Sequence, residues 1–159
     1  MQDVQKLKEN EIFVVMNREG DIPAGSSDGQ GLYFQDTRFL SIYEFGINGV
    51  GLQLLSSAGE LNFMGNLQFG NLGALLDNGT TLPPRTLSIR RNRFVDAGLH
   101  ERIGFFNYNP FPVTLNIELR LGSDFRDMFD VRSFMHPLKR GEEAEPELSA
   151  RPFGSTTRA

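Results

Sequence analysis

Residues 113–121 read Val113-Thr114-Leu115-Asn116-Ile117-Glu118-Leu119-Arg120-Leu121, an unbroken alternation of apolar and polar side chains. Successive side chains of a β-strand point to opposite faces, so all the apolar ones fall on one face here. A run of this kind is typical of a half-buried strand in an antiparallel sheet. The stretch therefore predicts a β-protein in which one sheet face is buried and the other meets water.

The residues before this stretch predict a hairpin. Asn109-Pro110-Phe111-Pro112 is a turn, because proline cannot donate a backbone hydrogen bond to a ladder. Residues 99–107 place Leu99, Ile103 and Phe105 on one face of a preceding strand. We therefore expect residues 99–107 and 113–121 to pair through a connection of four or five residues.

A second hairpin is predicted further upstream. Phe39, Ser41, Tyr43, Phe45 and Ile47 share one face of a long strand over residues 39–47. The pair at positions 48 and 49, Asn-Gly, is the strongest short hairpin signal, and residues 50–55 would form the returning strand.

The remaining periodicity completes an all-β class. Further strands are predicted over residues 11–17, 61–69 and 86–94, residues 23–31 are predicted as a loop, and no helical pattern exceeds about two turns. Several strands with turn signals at short intervals predict a two-sheet antiparallel β-sandwich with short helical turns. We assign residues 1–140 to this domain and residues 141–159, which are rich in Glu and Pro, to a flexible tail or a truncated continuation.

Composition narrows the function classes. The 159 residues suit one domain, and the net charge of −4 argues against a nucleic-acid binder. Without cysteine and with only His100 and His136, the chain is predicted to hold neither a metal nor a cofactor. A polar amino terminus and the lack of a long apolar run predict a cytoplasmic protein without a membrane partner.

Three groups of charged residues are candidates for a site. In residues 124–132, Asp124 and Asp127 are acidic candidates; alternatively Phe125, Met128 and Phe129 cap the core while Arg126 and Arg132 pair with the acids. In residues 85–93, Arg91 and Arg93 share one strand face and Arg90 lies on the other, so the three form no single patch. These arginines are either a ligand site or part of a solvated strand with ion pairs to acids such as Glu101. Asp36 and Arg38 share a face, either as sugar or interdomain contacts or as a polar pair that anchors the loop over residues 20–31.

Four segments together resemble a known family. They are residues 31–41 (Gly-Leu-Tyr-Phe-Gln-Asp-Thr-Arg-Phe-Leu-Ser) with the Asn-Gly pair behind them, residues 87–94, residues 99–103 and residues 124–132. Their order and spacing are similar to the amino-terminal domain of bacterial and archaeal glycogen-debranching-enzyme-like proteins of the amylo-α-1,6-glucosidase type. The resemblance covers residues 11–132.

The resemblance implies a β-sandwich that precedes a larger catalytic (α/α) barrel, which carries the catalytic carboxylates and cleaves α-1,6-linked glucose branches. No catalytic residue is therefore assigned in this chain. We expect a non-catalytic domain that braces the barrel, with an α-glucan as a further candidate partner. The residues named for substrate or interdomain contact are Asp36, Arg38, Arg91, Asp124, Asp127 and Arg132.

Two other functions stay open on the residues alone. One is a free-standing glucan-binding or protein-interaction sandwich without hydrolysis, although fourteen Phe, three Tyr and no Trp suit a packed core better than a sugar platform. The other is a hydrolase that uses Asp124, Asp127 or Glu101. We also expect an exposed apolar face to support a homo-oligomer.

Overall fold

Twelve β-strands and one short helix make up the structure, a computed structural model that describes residues 4–26 and 29–132, with the backbone alone at Glu60 and Arg132. The elements are β1 Gln5–Glu9, β2 Ile12–Met16, β3 Gly31–Phe34, β4 Thr37–Leu40, β5 Ile42–Ile47, β6 Leu52–Leu61, β7 Met64–Asn71, β8 Ala74–Leu75, β9 Thr81–Leu82, β10 Leu87–Val95, β11 Leu99–Asn107, β12 Ile117–Gly122 and α1 Met128–Arg132.

The strands form an antiparallel β-sandwich, as the alternation predicts. One layer is the central sheet, with strand order β11-β10-β7-β6. The other layer contains the amino-terminal sheet, β1-β2-β3-β4, and the pair β12-β5. A small hairpin, β8-β9, forms a separate two-stranded sheet, and its Leu82 is buried in the core. All named strand pairs are antiparallel.

Two apolar clusters hold the layers together. One lies between β5 and the central sheet and is built on side chains such as Ile47, Phe69 and Ile89. The second lies under the amino-terminal sheet and contains Val14, Met16 and Tyr43. Burial of such side chains stabilises the fold by roughly 1.5–3 kcal/mol each, so the clusters supply most of the driving force.

The predicted pairing of residues 99–107 with 113–121 is wrong. β11 pairs with β10, and β12 begins only at Ile117 and pairs with β5 in the other layer. The turn itself forms: the Asn107 side chain donates to the Phe111 carbonyl at 2.9 Å and accepts from the Asn109 amide at 3.0 Å. This turn sends the chain across to the opposite layer, and alternation cannot distinguish that route from a hairpin, because it reports the buried face and not the partner strand.

The second predicted hairpin is also wrong in its pairing, although its turn is present. Gly49 adopts a φ of 73°, and the Val50 amide donates to the Ile47 carbonyl at 3.1 Å. The returning strand β6 pairs with β7 and not with β5. The long strand predicted over residues 39–47 is divided at Ser41 into β4 and β5, because the Ser41 amide donates to the Gly122 carbonyl at 2.8 Å.

Other strand predictions hold within a few residues. β2 and β10 lie where residues 11–17 and 86–94 predicted them, and β7 is shifted from 61–69 to Met64–Asn71. The sequence analysis missed β1, β3, β8 and β9, which are short or strongly charged. The tail predicted over residues 141–159 lies outside the described residues.

Candidate functional site

A buried ion pair fastens residues 124–128 to the amino-terminal sheet. Arg38, on β4, donates from Nε to Asp124 Oδ1 at 3.0 Å and from Nη2 to the other carboxylate oxygen, so the contact is bidentate. Its Nη1 donates to the Gln30 carbonyl at 3.2 Å. Burial alone would lower the pKa of Arg38, but the Asp124 carboxylate outweighs it and raises that pKa. Arg38 therefore holds both a loop residue and the Asp124 segment in place.

Asp36 does not share this arrangement. Gln35 and Asp36 have φ values of 44° and 64° and form the two-residue turn between β3 and β4, a conformation that Asp tolerates better than most residues. The Asp36 carbonyl accepts from the Met128 amide at 2.6 Å. The predicted polar pair of Asp36 with Arg38 is thus replaced by the pair of Arg38 with Asp124, and the exposed Asp36 carries the turn.

Three phenylalanine rings lie side by side on the outside of this corner. The centroid of the Phe39 ring is 6.2 Å from Phe34 and 5.7 Å from Phe125, edge-on in the second case. We call Phe34, Phe39 and Phe125 the phenylalanine surface. These side chains are 37%, 42% and 57% exposed, and Phe129 in α1, four residues further on, is 67% exposed. The predicted capping of the core by Phe125 and Phe129 is therefore wrong.

The backbone at Phe125 is strained. Its φ of 51° lies in the left-handed region, which a bulky residue rarely adopts. Such a conformation costs about 1–3 kcal/mol and persists only where neighbouring contacts enforce it. Here the Arg38 amide donates to the Arg126 carbonyl at 2.8 Å, directly beside the Arg38–Asp124 pair. The left-handed conformation therefore lowers the stability of the fold while it holds the Phe125 ring exposed.

A second polar cluster is entirely internal. Arg91 and Arg93, on the inner face of β10, are each 1% exposed and share the Glu101 carboxylate of β11. Arg91 Nε lies 2.8 Å and Arg93 Nη2 2.5 Å from Glu101 Oε1, and the Tyr43 hydroxyl donates to Oε2 of the same group. Arg91 Nη1 also donates to Asp21 Oδ1 at 2.7 Å. We call these five residues the arginine network.

The charges of the arginine network balance one another. Burial would raise the pKa of Glu101, but Arg93, Arg91 and Tyr43 together hold it below its usual value. At Asp21 burial dominates over Arg91 and raises the pKa. At Arg93 burial lowers the pKa, and the Glu101 carboxylate offsets only part of this effect. Two arginines face two carboxylates, so the positive and negative charges are equal in number and the arginine network links the two layers.

A glycine makes the arginine network possible. Gly20 has a φ of 78°, and its carbonyl accepts from Arg93 Nη1 at 2.6 Å. A Cβ at position 20 would lie 2.5 Å from both Arg93 Nη1 and Leu67 Cδ1. Residue 20 must therefore be glycine both for its backbone conformation and for the space that the guanidinium occupies.

The structure thus separates the predicted contact residues. Arg38 and Asp124 are joined, Asp36 lies on the adjoining turn, and exposed Asp127 accepts from the Phe129 amide at 2.7 Å. Arg91 is internal, and the Arg132 side chain lies outside the described structure. The contact role of all six stays a prediction.

The alternation on β10 was assigned correctly, since Arg90 is exposed opposite Arg91 and Arg93, and the predicted ion pair with Glu101 is present. The expectation that this strand face is solvated is wrong, because the pairs are buried. The prediction that Arg126 pairs with the acids holds only loosely, as its Nε lies 3.9 Å from Asp124 Oδ2 and the side chain is largely exposed.

Two concave regions contain none of the six contact residues. One, of about 520 Å³, is polar and lined by Gln5, Arg18, Leu54, Leu55, Ser56 and Ser57. The other, of about 80 Å³, is apolar and lies between β11 and the start of β12. Within the described ranges no three His, Asp or Glu side chains converge as a metal-binding group, and no described helix is both long and apolar enough to span a bilayer.

Comparison with known families settles the relationship. The sequence matches the family described as the N-terminal domain of (some) glycogen debranching enzymes over residues 7–156, nearly the whole chain. The chain belongs to this family. No curated protein matches it. In this glycogen debranching N-terminal domain, the four segments that carry the resemblance coincide with β3-β4, β10, β11 and the Asp124–α1 corner.

Sequence reasoning about this debranching-enzyme domain named Arg38 and Asp124 as separate candidates, but it predicted neither their ion pair nor the aromatic outer side of the corner. Phe34 and Phe39 flank the β3–β4 turn, and only the unusual φ of Phe125 turns a third ring toward them. A two-residue turn between two phenylalanine-bearing strands could have suggested the first two rings. The third depends on a backbone conformation that no local pattern in residues 124–126 indicates.

Proposed function

We propose that this domain braces the catalytic (α/α) barrel of a cytoplasmic, debranching-type glycoside hydrolase and performs no hydrolysis itself. The observation that carries the proposal is the phenylalanine surface. Exposed phenylalanines grouped on one corner are typical of a protein–protein interface, because each ring loses contact with water when a partner covers it. The family supplies the kind of partner, since its members are N-terminal domains of glycogen debranching enzymes.

The strain at Phe125 supports an interaction role for this corner. In the isolated domain the strained backbone at Phe125 is destabilising and the exposed ring buries little surface in return, whereas a partner's pocket would bury the ring. The Arg38–Asp124 pair keeps the ring oriented before the partner arrives, which lowers the ordering cost of association. On this proposal Asp36, Arg38, Asp124 and Asp127 act by positioning the interdomain surface.

Two of the three carboxylates named for the hydrolase alternative, Glu101 and Asp124, do not suit hydrolysis. A glycosidase needs one carboxyl group with a raised pKa as its general acid. The pKa of Glu101 is lowered, and its oxygens are occupied by Arg91, Arg93 and Tyr43. Asp124 is bound bidentately by Arg38. These contacts favour a non-catalytic domain over the hydrolase alternative.

Dedicated glucan binding is also less favoured. Sugar rings stack best on aromatic side chains that combine a flat face with a polar edge, and the phenylalanine surface has no polar edge. The larger concave region has polar groups but no aromatic ring in its lining. An α-glucan contact made jointly with the barrel stays compatible with this arrangement.

The test mixes the purified chain with the separately purified catalytic domain of a debranching enzyme that carries an N-terminal domain of this family. We expect a heat of association by titration calorimetry, lost on Phe125→Asn and kept on Phe94→Asn, which removes a ring of 41% exposure from the central sheet. Association that is equal for both variants, or absent for the unmodified chain, would refute the proposal.

Parallel assays address the alternatives. The chain alone is expected to release no glucose from a branched glucan and to give no heat with maltooligosaccharides at millimolar concentration. Heat with the sugar in the absence of the barrel would favour the glucan-binding sandwich. Glucose release that is lost in Asp124→Asn or Asp127→Asn would favour the hydrolase.

A further inference from the structure

The outer edge of β11 is an unpaired strand edge. β11 pairs with β10 over nine consecutive positions without a bulge. The Tyr108 amide donates to the Thr86 carbonyl at 2.9 Å, which fixes the even-numbered positions as those bonded to β10. The odd-numbered amides and carbonyls, from Leu99 to Asn107, therefore point away from the sheet. Among the described residues none forms a backbone hydrogen bond along this edge.

Two other sheet edges are better protected. β6, at the opposite edge of the central sheet, has register shifts between Leu54 and Ser56 and between Ala58 and Leu61. Such irregularities turn an edge away from further pairing. β4 is covered, since its backbone bonds the segment after β12 through Arg126. In the described part of the chain β11 is the longest regular edge, with nine paired positions against six in β12 and five in β1. Open regular edges are where strands of another chain add.

The flank beside this edge is apolar. Phe105, Leu119 and Leu121 point toward the space between the layers, yet they are 37%, 43% and 36% exposed. The apolar concavity of about 80 Å³ lies on the same flank, between Phe105 and Leu115. A partner on the β11 edge would cover part of this flank as well as complete the backbone bonds.

We propose that the β11 edge binds the β11 edge of a second copy of this chain, antiparallel, with the two Gly104 residues facing each other. In this register Ile103 lies opposite the second copy's Phe105, apolar against apolar. Arg102 lies opposite the second copy's Phe106 on the outer face, cation against ring. Each of these contacts occurs twice because the pairing is two-fold symmetric. The two central sheets become one continuous eight-stranded sheet.

The side chains select this register over its neighbours. Pairing that uses the outward amides can shift only in steps that keep odd positions opposite odd positions. One two-residue step in one direction sets Arg102 opposite the second copy's Gly104 and leaves it without a partner ring. A second step in the same direction sets Arg102 opposite the second copy's Arg102, a like-charge pair on the same face. One step in the other direction sets Arg102 opposite the second copy's Tyr108, beyond the end of β11, and leaves only residues 103–107 of the two strands overlapping. The apolar pair of Ile103 with Phe105 and the cation–ring pair of Arg102 with Phe106, each formed twice, therefore favour the Gly104-centred pairing and a second copy as the occupant.

Cross-linking through a single cysteine tests the geometry. The chain has no cysteine, so Gly104→Cys introduces a unique thiol. A Cβ at position 104 would meet only Phe106 Cε2, at an ordinary 3.5 Å, so the variant should fold. The facing Cα atoms of a non-hydrogen-bonded pair are about 4.5 Å apart, within the range that a disulfide spans. We expect a covalent dimer under mild oxidation, visible on a non-reducing gel.

The matched control is Gly59→Cys, in β6 on the opposite edge, where a Cβ meets nothing within 4 Å. We expect it to cross-link at least about tenfold more slowly, because its thiol is not held near a second copy. Equal rates for the two cysteines would overturn the proposal.

A charge exchange tests the register independently. Sedimentation velocity of the full chain over a concentration series is expected to show a monomer–dimer equilibrium, weakened roughly tenfold by Phe106→Lys, which sets Lys against Arg102. Phe94→Lys, on the same outer face one strand inward, is expected to leave it unchanged. The double variant Arg102→Glu with Phe106→Lys should restore the dimer. A monomer at all concentrations, or a double variant no stronger than Phe106→Lys, would contradict the proposal.

Discussion

Glu101→Gln removes the charge that the two buried arginines share while keeping the size of the side chain. Glu101 Oε1 accepts from Arg91 Nε at 2.8 Å and from Arg93 Nη2 at 2.5 Å. The side chains of Arg91 and Arg93 are 1% and 0% exposed, so water cannot replace the lost carboxylate. Asp21 is then the remaining acid of the arginine network, and of the two arginines it forms an ion pair with Arg91 and not with Arg93.

The magnitude follows from the burial. Removing one partner of a buried, hydrogen-bonded ion pair costs about 3–5 kcal/mol. The total stability of a domain is roughly 5–15 kcal/mol, so a large fraction of it is lost. For a chain of this length about 2–4 °C of melting temperature accompanies each kcal/mol, which gives a fall of about 6–20 °C.

The assay is urea unfolding followed by far-ultraviolet circular dichroism, with the free energy of unfolding from linear extrapolation. The matched control is Glu118→Gln, an exposed residue of β12, which we expect to change stability by no more than about 0.5 kcal/mol. A loss below about 1 kcal/mol for Glu101→Gln, with an unchanged urea slope, would refute the view that charge holds the arginine network together.

Three further predictions concern pH, space and strain. Because the pKa of Glu101 is lowered on folding, its contribution to stability is full above the ordinary value of 4.5 and is lost as pH falls through the folded pKa. The melting temperature should therefore fall less steeply with decreasing pH in Glu101→Gln than in the unmodified chain, and an equal fall would contradict this. The raised pKa of Asp21 acts in the opposite sense in both proteins. Gly20→Ala should lose roughly 1–3 kcal/mol more stability in urea than Gly25→Ala, because both have a positive φ but only position 20 is filled by Arg93 and Leu67; equal losses would contradict this. Phe125→Asn should leave unfolding stability unchanged or raise it by about 1 kcal/mol, since Asn tolerates the left-handed region, and a marked loss of stability would show that the ring supports the fold instead of a partner.

Alternation in the sequence was sufficient to predict the sandwich and the opposite faces of β10. It also indicates that the ion pairs of Arg91 and Arg93 with Glu101 are buried, whereas the sequence analysis predicted them on a solvated face. Arg91 and Arg93 lie in step with Leu87, Ile89 and Val95, and all five are buried on the inner face. Glu101 is likewise in step with apolar residues of β11. Opposite charges that fall on the apolar faces of two predicted strands indicate a buried ion pair, because a single buried charge would be too costly.

Strand partners could not be predicted in the same way. The run over residues 113–121 identifies its buried face, but whether that face belongs to the layer of β11 or of β5 depends on the turn at 108–112 and on long-range packing. The phenylalanine surface depends on similar non-local facts. Phe39 and Phe125 are 86 residues apart in the chain and meet because Arg38 bonds Asp124 and the Arg126 carbonyl.

Hydrogen exchange of the chain with and without the catalytic domain of a debranching enzyme tests the bracing role most directly. The account predicts slower exchange of the backbone amides over residues 34–39 and 124–129, which carry the phenylalanine surface, and unchanged exchange in β6 at the far edge of the central sheet. Protection that is absent from both segments, or confined to the β6 side, would contradict the account.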